Sequence, residues 1–323
     1  MADSSPVVVV TGANGLVGAA VCRALAARSA QVRAVVRRAG SAPALDGVTE
    51  HVGDFADEGF AREVTRGADA VVTTVHPMGS SREEQHRVGA EGTPVLARAA
   101  RENGVARLVH VSTAAVYDRS PETGDVTEDG ALAPEGSGAY ADTKNATDAA
   151  LAQVEGLTTV LVRPPAIIGS GETSVWNTLR PRAIGDGGRR ANPAQTFAWV
   201  HVDDLAALIA DVATGAVAAA DDPERGPVTG VTTPVIVAGE PATLRDYVGT
   251  VTGALGIERN RGELIRSVEP GEPGARAGLR PGDVVTRVNG REVTPDQTLS
   301  YLVSNVQPGS PVRLEVLRDG RPV

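Results

Sequence analysis

The sequence predicts an α/β protein: a doubly wound parallel sheet with a small substrate-covering region, followed by a small β-rich domain. Three observations carry this. Short β-branched runs alternate with helical patterns through the first two-thirds of the chain. The first run, "VVVV" at 7–10, leads directly into "TGANGLVG", a glycine-rich turn at the start of a helix. After Gly256 the texture changes to turn residues packed densely between short strand-like runs. A length of 323 residues exceeds what one core usually fills, so a large domain, 1–257, and a small one, 258–323, are expected.

In chain order, the strand candidates are Val7–Thr11, Val32–Arg37, Ala70–Val75, Leu108–Ser112 and Thr158–Val162. Helical stretches lie between them at Leu16–Ala27, Phe60–Arg66, Arg82–Asn103 and Tyr140–Val154. Continuous apolar strands that alternate with helices imply a parallel sheet covered on both faces. From Arg163 the regularity lapses. "RPPAIIGSGETSVWNTLRPRAIGDGGRRANPAQ" is rich in Gly, Pro and Arg, and reads as an insertion over a substrate, with Trp176 and Arg180 either lining it or merely packing and solvated. "WVHVDDLAALIADVAT" returns to strand and helix, with Asp203 or Asp204 near the helix start, and "PVIVAG" is a further strand. Thr243 and Asp246 resemble a capping box for a helix over Leu244–Leu255. The boundary is placed near Ile257–Arg261.

Composition narrows the function. A net charge of −9 argues against a general nucleic-acid binder, which needs a basic face to release counterions. No apolar run is long enough to span a bilayer, and "MADSSP" does not read as a signal peptide. The single cysteine, Cys22, fits a reducing compartment, so a cytoplasmic location is expected; it reads as a buried small hydrophobe. The five histidines show no metal-ligand spacing, and no metal is expected.

"TGANGLVG" places Gly12, Asn14, Gly15, Leu16 and Gly18 between an apolar strand and a helix. Gly12 permits the tight turn, Gly15 lets the backbone approach a pyrophosphate, and Gly18 allows close helix–strand packing. The helix N-terminus adds unpaired N–H groups and a positive dipole end. Simple turn chemistry would also use glycines here, but the strand–turn–helix context favours a dinucleotide. At the end of the second strand an acid would bind the ribose 2′-hydroxyl, and an arginine would favour a 2′-phosphate. "AVVRRAG" sets Arg37 and Arg38 there, which points to NADP, with NAD the alternative; two solvated loop arginines would look the same. Asp54, in "VGDF", is a contact for the adenine amino group.

"GAYADTK" sets Tyr140 and Lys144 four residues apart, hence on one helix face. An unperturbed phenol titrates near about 10, too high for an efficient base near neutrality. A neighbouring ammonium and a positive nicotinamide ring would stabilise the phenolate and lower that value. Such pairs occur by chance on many helices; what gives this one meaning is the dinucleotide loop and "LVHVSTAAVYD" before it.

With "RPPAIIG" and "WVHVDDLA" following in order, residues Val7 to Leu255 resemble the extended short-chain dehydrogenase/reductases, the NAD(P)-dependent epimerase/dehydratase family. The resemblance implies a Rossmann-type sheet and hydride transfer between nicotinamide and a carbinol carbon. It makes Thr113, with Ser112 beside it, the residue that orients the substrate oxygen, Tyr140 the acid/base, and Lys144 its partner and ribose ligand. Pro164 and Pro165 then lie beside the nicotinamide, and His201, Val202 and Asp203 belong to the motif closing the later core. Dehydratases of the family carry a carboxylate pair after the threonine; here Ala114 and Ala115 follow. Asp118 replaces a usual glycine, Ile168 stands where many sugar-nucleotide enzymes have tyrosine, and the insertion is short. A reductase or dehydrogenase of a modest carbonyl or alcohol is therefore expected ahead of a nucleotide-sugar epimerase.

The closing stretch, "LIRSVEPGEPGARAGLRPGDVVTRVNGREV" and "TLSYLVSNVQPGSPVRLEVLRDG", resembles a PDZ domain of the bacterial protease-associated kind. "LIRSVEP" reads as a strand, "GARAGL" as a short helix, "DVVTRVNG" as a strand ending in an Asn–Gly turn, 298–306 as an amphipathic helix, and "VRLEVLRDG" as a strand and turn. The resemblance implies capture of a peptide C-terminus by backbone N–H groups of Leu255, Gly256 and Ile257. Those residues also complete the last helix of the first domain, so both domains read as clipped at the join, and the second as short of a strand at "GRPV". The competing readings are an interaction protein that works through the PDZ-like groove, and a gene fusion whose tail has no role. The family also implies a homodimer through Arg82–Asn103 and Tyr140–Val154.

Overall fold

The computed structural model describes residues 5–77, 79–120, 125–169, 196–223, 225–239, 242–243, 263–265, 267–269, 271–294, 297–307, 309–318 and 321–323. The chain divides into two units, Met1–Thr243 and Leu244–Val323.

The first unit is organised by a seven-stranded sheet in the order β10-β6-β5-β4-β1-β2-β3, every pair parallel. Its strands are β1 (Val7–Thr11), β2 (Gln31–Val36), β3 (Val48–Val52), β4 (Ala70–Thr73), β5 (Arg107–Val111), β6 (Thr158–Arg163) and β10 (Thr232–Ile236). The alternation of β1 explains the two faces. Val8 and Val10 join α1 (Leu16–Ala26) and α6 (Val202–Thr214) through Leu25, Leu205 and Ile209, while Val9 joins the opposite cluster with Leu96 and Leu151. That opposite face is covered by α2 (Glu58–Thr65), α4 (Thr93–Glu102) and α5 (Ala139–Ala152). Strand order reverses between β1 and β4, so the turns after these two strands flank one crevice at their carboxyl ends, where open α/β sheets bind ligands.

β3 is absent from the sequence reading because "VTEHV" is only half-buried and carries none of the apolar continuity of its neighbours. The stretch read as one helix from Arg82 is α3 (Arg82–His86), a π-helical turn at Arg87–Gly92, then α4. Within that turn Gly89 packs closely on α5, since a Cβ there would stand 2.6 Å from Thr147 Oγ1. Small pairs follow, β7 (Ala166–Ile168) with β9 (Trp199–His201), and β8 (Thr196–Phe197) with β11 (Ala242–Thr243). Thr243, read as a helix cap, ends β11; the helix expected after it, and Trp176 and Arg180, lie outside the described residues.

The second unit is an antiparallel sheet ordered β12 (Glu263–Leu264), β13 (Val284–Val288), β15 (Leu314–Arg318), β16 (Arg321–Pro322), with β14 (Arg291–Glu292) on β13. Among the described residues, two short helices accompany it, α7 (Pro273–Arg276) and α8 (Leu299–Ser304). Asn289 and Gly290 both have positive φ, 50° and 82°, the geometry a two-residue hairpin turn requires and which Asn–Gly supplies. Val285, Val288, Val293, Leu302 and Val316 form its core. Asp283, 1% exposed, takes two bonds from Arg318 at 2.8 and 2.9 Å and one from the Arg280 amide, which hold its carboxyl below the usual range. No described helix is long and apolar enough to cross a membrane.

Candidate functional site

The turn after β1 is built around close backbone approach. Gly12 has φ +69°, and the Gly15 amide donates to its carbonyl at 2.9 Å. A Cβ at Gly18 would lie 2.1 Å from Gly12 O, so only glycine lets α1 sit so close to the turn. Gly15 is the N-cap of α1 and no side chain caps that end, which leaves backbone donors at Leu16 and beyond. Asn14 is exposed on the turn. This cradle suits the pyrophosphate of a nicotinamide dinucleotide.

Arg37 and Arg38 follow β2 and are exposed. The loop carrying them is anchored by a residue absent from the sequence reading. The Glu50 carboxylate accepts the amides of Gly40, Ser41 and Ala42 at 2.8, 3.0 and 3.0 Å. Those amide bonds, Ala42 first, hold its pKa below the ordinary value. Asp54 accepts the Ala56 amide at 2.9 Å and so shapes the turn after β3.

Thr113 follows β5, is 7% exposed, and accepts the Ala115 amide at 3.2 Å. Tyr140 is the second residue of α5 and 36% exposed, and the Thr113 side chain acts on its phenol so as to favour ionisation. Lys144, one turn on, is buried and donates Nζ–H to Val111 O at 2.7 Å. Pro164 O accepts the Ala114 amide at 2.8 Å, which ties the end of β6 to the same corner. Sequence spacing thus brings Thr113, Tyr140, Lys144 and Pro164 together.

In the chain alone Tyr140 is raised above the usual phenol value: burial is the main cause, the Thr113 side chain opposes it, and the Asp148 charge adds to it. The Lys144 ammonium donates to the Val111 carbonyl. Lys144 itself falls to about 8 through burial, with Asp148 opposing.

His76 carries no signal in the sequence beyond being one of five histidines without metal spacing. His76 packs edge-to-face against Tyr140, centroids 4.7 Å apart, in the turn after β4. Burial, then the Lys144 charge, lower it to about 4, so it is neutral near pH 7. Beneath lie Asp148, His110 and Arg163, all buried. Asp148 had a signal, since it continues the Tyr140–Lys144 face by one more turn. His201 caps α6 by accepting the Asp203 amide at 3.3 Å, and Val202 is core. Cys22 is buried, its thiol pushed up to about 12. Leu255, Gly256 and Ile257, the expected peptide-binding residues, lie outside the described residues.

Comparison with known proteins adds the following. The profile of the NAD dependent epimerase/dehydratase family matches residues 8–227, and that of the PDZ domain matches 253–323. Sterol demethylase protein B of Methylococcus capsulatus is 34% identical over 214 residues, 62% of this chain and 63% of that protein, so the chain spans less than two-thirds of it. The 2-alkyl-3-oxoalkanoate reductase of Stenotrophomonas maltophilia is 29% identical over 265 residues, 78% of this chain and 76% of that protein. Among solved structures, the Bordetella bronchiseptica enzyme WbmH in complex with NAD+ superposes with a TM-score of 0.62 at 21% identity, over 83% of this chain and 87% of that one.

Proposed function

The chain belongs to the NAD dependent epimerase/dehydratase family, and from that premise we propose that its first unit is an NADP-linked reductase acting on a modest carbonyl or alcohol substrate. An NAD(P)-dependent enzyme with a PDZ domain is the common ground; the residue roles and the net reaction are the proposal. The observation that carries it is the placing of half-exposed Tyr140 one helical turn before buried Lys144, whose Nζ is held by Val111 O two residues from Thr113.

Gly12, Asn14, Gly15, Leu16 and Gly18 hold the pyrophosphate, Arg37 and Arg38 the 2′-phosphate, Asp54 the adenine amino group, and Pro164 the nicotinamide face. A nicotinamide held there would supply the redox chemistry, the reduced form NADPH giving a hydride to the carbonyl carbon and the oxidised form NADP+ accepting one from the carbinol. Tyr140 gives its proton to the substrate oxygen in reduction and takes it back in oxidation. Thr113 bonds the same oxygen and fixes its approach. Lys144, turned from Val111 O, is the ligand for the ribose. Ala114 and Ala115 leave no carboxylate pair for dehydration. The likeness to 2-alkyl-3-oxoalkanoate reductase supports a ketone substrate.

The PDZ unit takes a peptide C-terminus as an added strand in this reading. The lone buried Cys22 supports a cytoplasmic location. A homodimer through 82–103 and 140–154 completes it, and a monomeric mass in solution would remove that part. The test of the central reading is NADPH consumption against a ketone panel. Stoichiometric consumption supports a reductase. Product formed without net consumption would make the protein an epimerase, which must return the hydride it takes.

A further inference from the structure

We propose that Asp148 is the positioning residue of this site: one buried carboxylate that registers the three segments from which Thr113, the Tyr140–Lys144 pair and Pro164 are presented. The inference rests on the reading of Tyr140 as acid/base. Asp148 stands on α5 one turn after Lys144 and two after Tyr140. Its Oδ2 accepts Ser112 Oγ–H at 2.9 Å and Arg163 Nε–H at 3.1 Å, and lies 3.0 Å from Arg163 Nη2. Ser112 immediately precedes Thr113, and Arg163 immediately precedes Pro164. The carboxylate therefore fixes helix α5 against the ends of β5 and β6 at once.

The surroundings show why stability alone does not explain it. Ser112, Asp148 and Arg163 are 3%, 4% and 6% exposed, and burying such a pair costs desolvation that its attraction only partly offsets. Arg163 also donates to Tyr117 Oη at 2.8 Å, while Tyr117 Oη donates to Glu128 O at 3.1 Å. Asp148 Oδ1 makes no hydrogen bond and faces His110 Nε2 at 3.9 Å. His110 is fixed at Nδ1 by Thr73 at 2.7 Å, and its chain neighbour Val111 holds Lys144. The arrangement converges on the lysine and the threonine from beneath.

Asp148 also sets charge. The groups that face it are Lys144 from α5, His110 from β5, Ser112 just after β5, and Arg163 from β6; those on Tyr140 are Thr113, His76 and the Asp148 charge itself. That charge favours the protonated form of both Tyr140 and Lys144. Eight residues of helix span about 12 Å. At that distance one charge in a medium of effective dielectric near 20 moves a neighbour by about half to one pH unit.

The experiment compares full-length wild type, Asp148→Asn, Asp148→Glu and Tyr140→Phe, with kcat, KM and the pH profile measured for ketone reduction. D148N is expected to lower kcat about tenfold through misplacement while NADPH affinity changes less than about threefold. Its alkaline limb should move to lower pH by about half to one unit, and D148E should return the limb to the wild-type position. A merely structural pair would lower the melting temperature and leave the limb in place. An unmoved limb, or an unchanged kcat, overturns the inference. Should D148N not accumulate folded, Ser112→Ala removes one strut without touching the charge: an unshifted limb with kcat down about threefold supports the role, and wild-type kcat overturns it. If Y140F turns over normally, the acid/base reading has failed; if Y140F is inactive and D148N behaves as wild type, only the Asp148 inference has.

Discussion

Gly18→Ala puts the cofactor cradle under the most direct geometric stress. The added methyl would lie 2.1 Å from Gly12 O, 2.7 Å from Gly12 C and 3.0 Å from Ala13 Cα, all backbone atoms. Ordinary contact begins at roughly 3.4 Å, so helix and turn must part by about 1.3 Å. Helix α1 cannot simply retreat, because Val21 and Leu25 are fully buried against the α6 side of the core. Overpacking costs about 1–3 kcal/mol, and backbone against backbone belongs at the upper end. For a unit of this size, about 3 kcal/mol is a fall in melting temperature of roughly 6–12 °C. The same parting carries the amides of Gly15 and Leu16 out of hydrogen-bond range of a pyrophosphate, which weakens NADPH at least about tenfold. Differential scanning calorimetry and NADPH fluorescence titration read the two effects separately. An unshifted melting temperature with unchanged NADPH affinity would refute the close-approach argument.

Replacing Arg37 and Arg38 together by serine should weaken NADPH about tenfold or more and leave NADH unchanged; equal loss of both would remove their assignment to the 2′-phosphate. His76 makes a pH prediction. Its folded-state value of about 4 lies below the ordinary imidazole value of 6.5, so the unfolded chain binds the extra proton first. Stability should therefore be full above about 6.5 and fall as pH drops towards 4, with buried His110 contributing in the same direction. His76→Phe should flatten part of that fall in melting temperature, and an unchanged slope would contradict it. In the second unit, Arg318→Ala leaves the buried Asp283 carboxylate with its amide bond alone and should destabilise that unit by about 2 kcal/mol. A PDZ melting transition that does not move would show the pair to be inert.

The parallel sheet was legible because β1, β4 and β6 are buried along almost their whole length and write continuous apolar runs. Strand β3 was not, since its half-buried "VTEHV" follows neither a continuous nor a strictly alternating pattern. The π-helical turn escaped because the helical pattern of 82–103 runs through it without a break, and the packing of its Gly89 on Thr147 of another helix is a contact no local pattern records. The site divides in the same way. Thr113, Tyr140 and Lys144 carry a spacing that can be read along the chain, and the Asn289–Gly290 turn is local chemistry. His76 is brought to Tyr140 only by the strand order at β4, and Glu50 reaches the Arg37–Arg38 loop only through the pairing of β2 with β3. The direction of the Tyr140 shift in the chain alone follows from burial, which the Tyr140–Lys144 spacing does not record.

The central claim is that Tyr140 protonates a substrate oxygen while a hydride passes between NADP and carbon. Transfer of deuterium from 4-deuterated NADPH into a ketone product, followed by mass spectrometry for wild type and Tyr140→Phe, tests it most directly. The account predicts label in the wild-type product and none from the variant, whose NADPH affinity stays near wild type. Equal label from both proteins, or no label from either across the ketone panel, would contradict it.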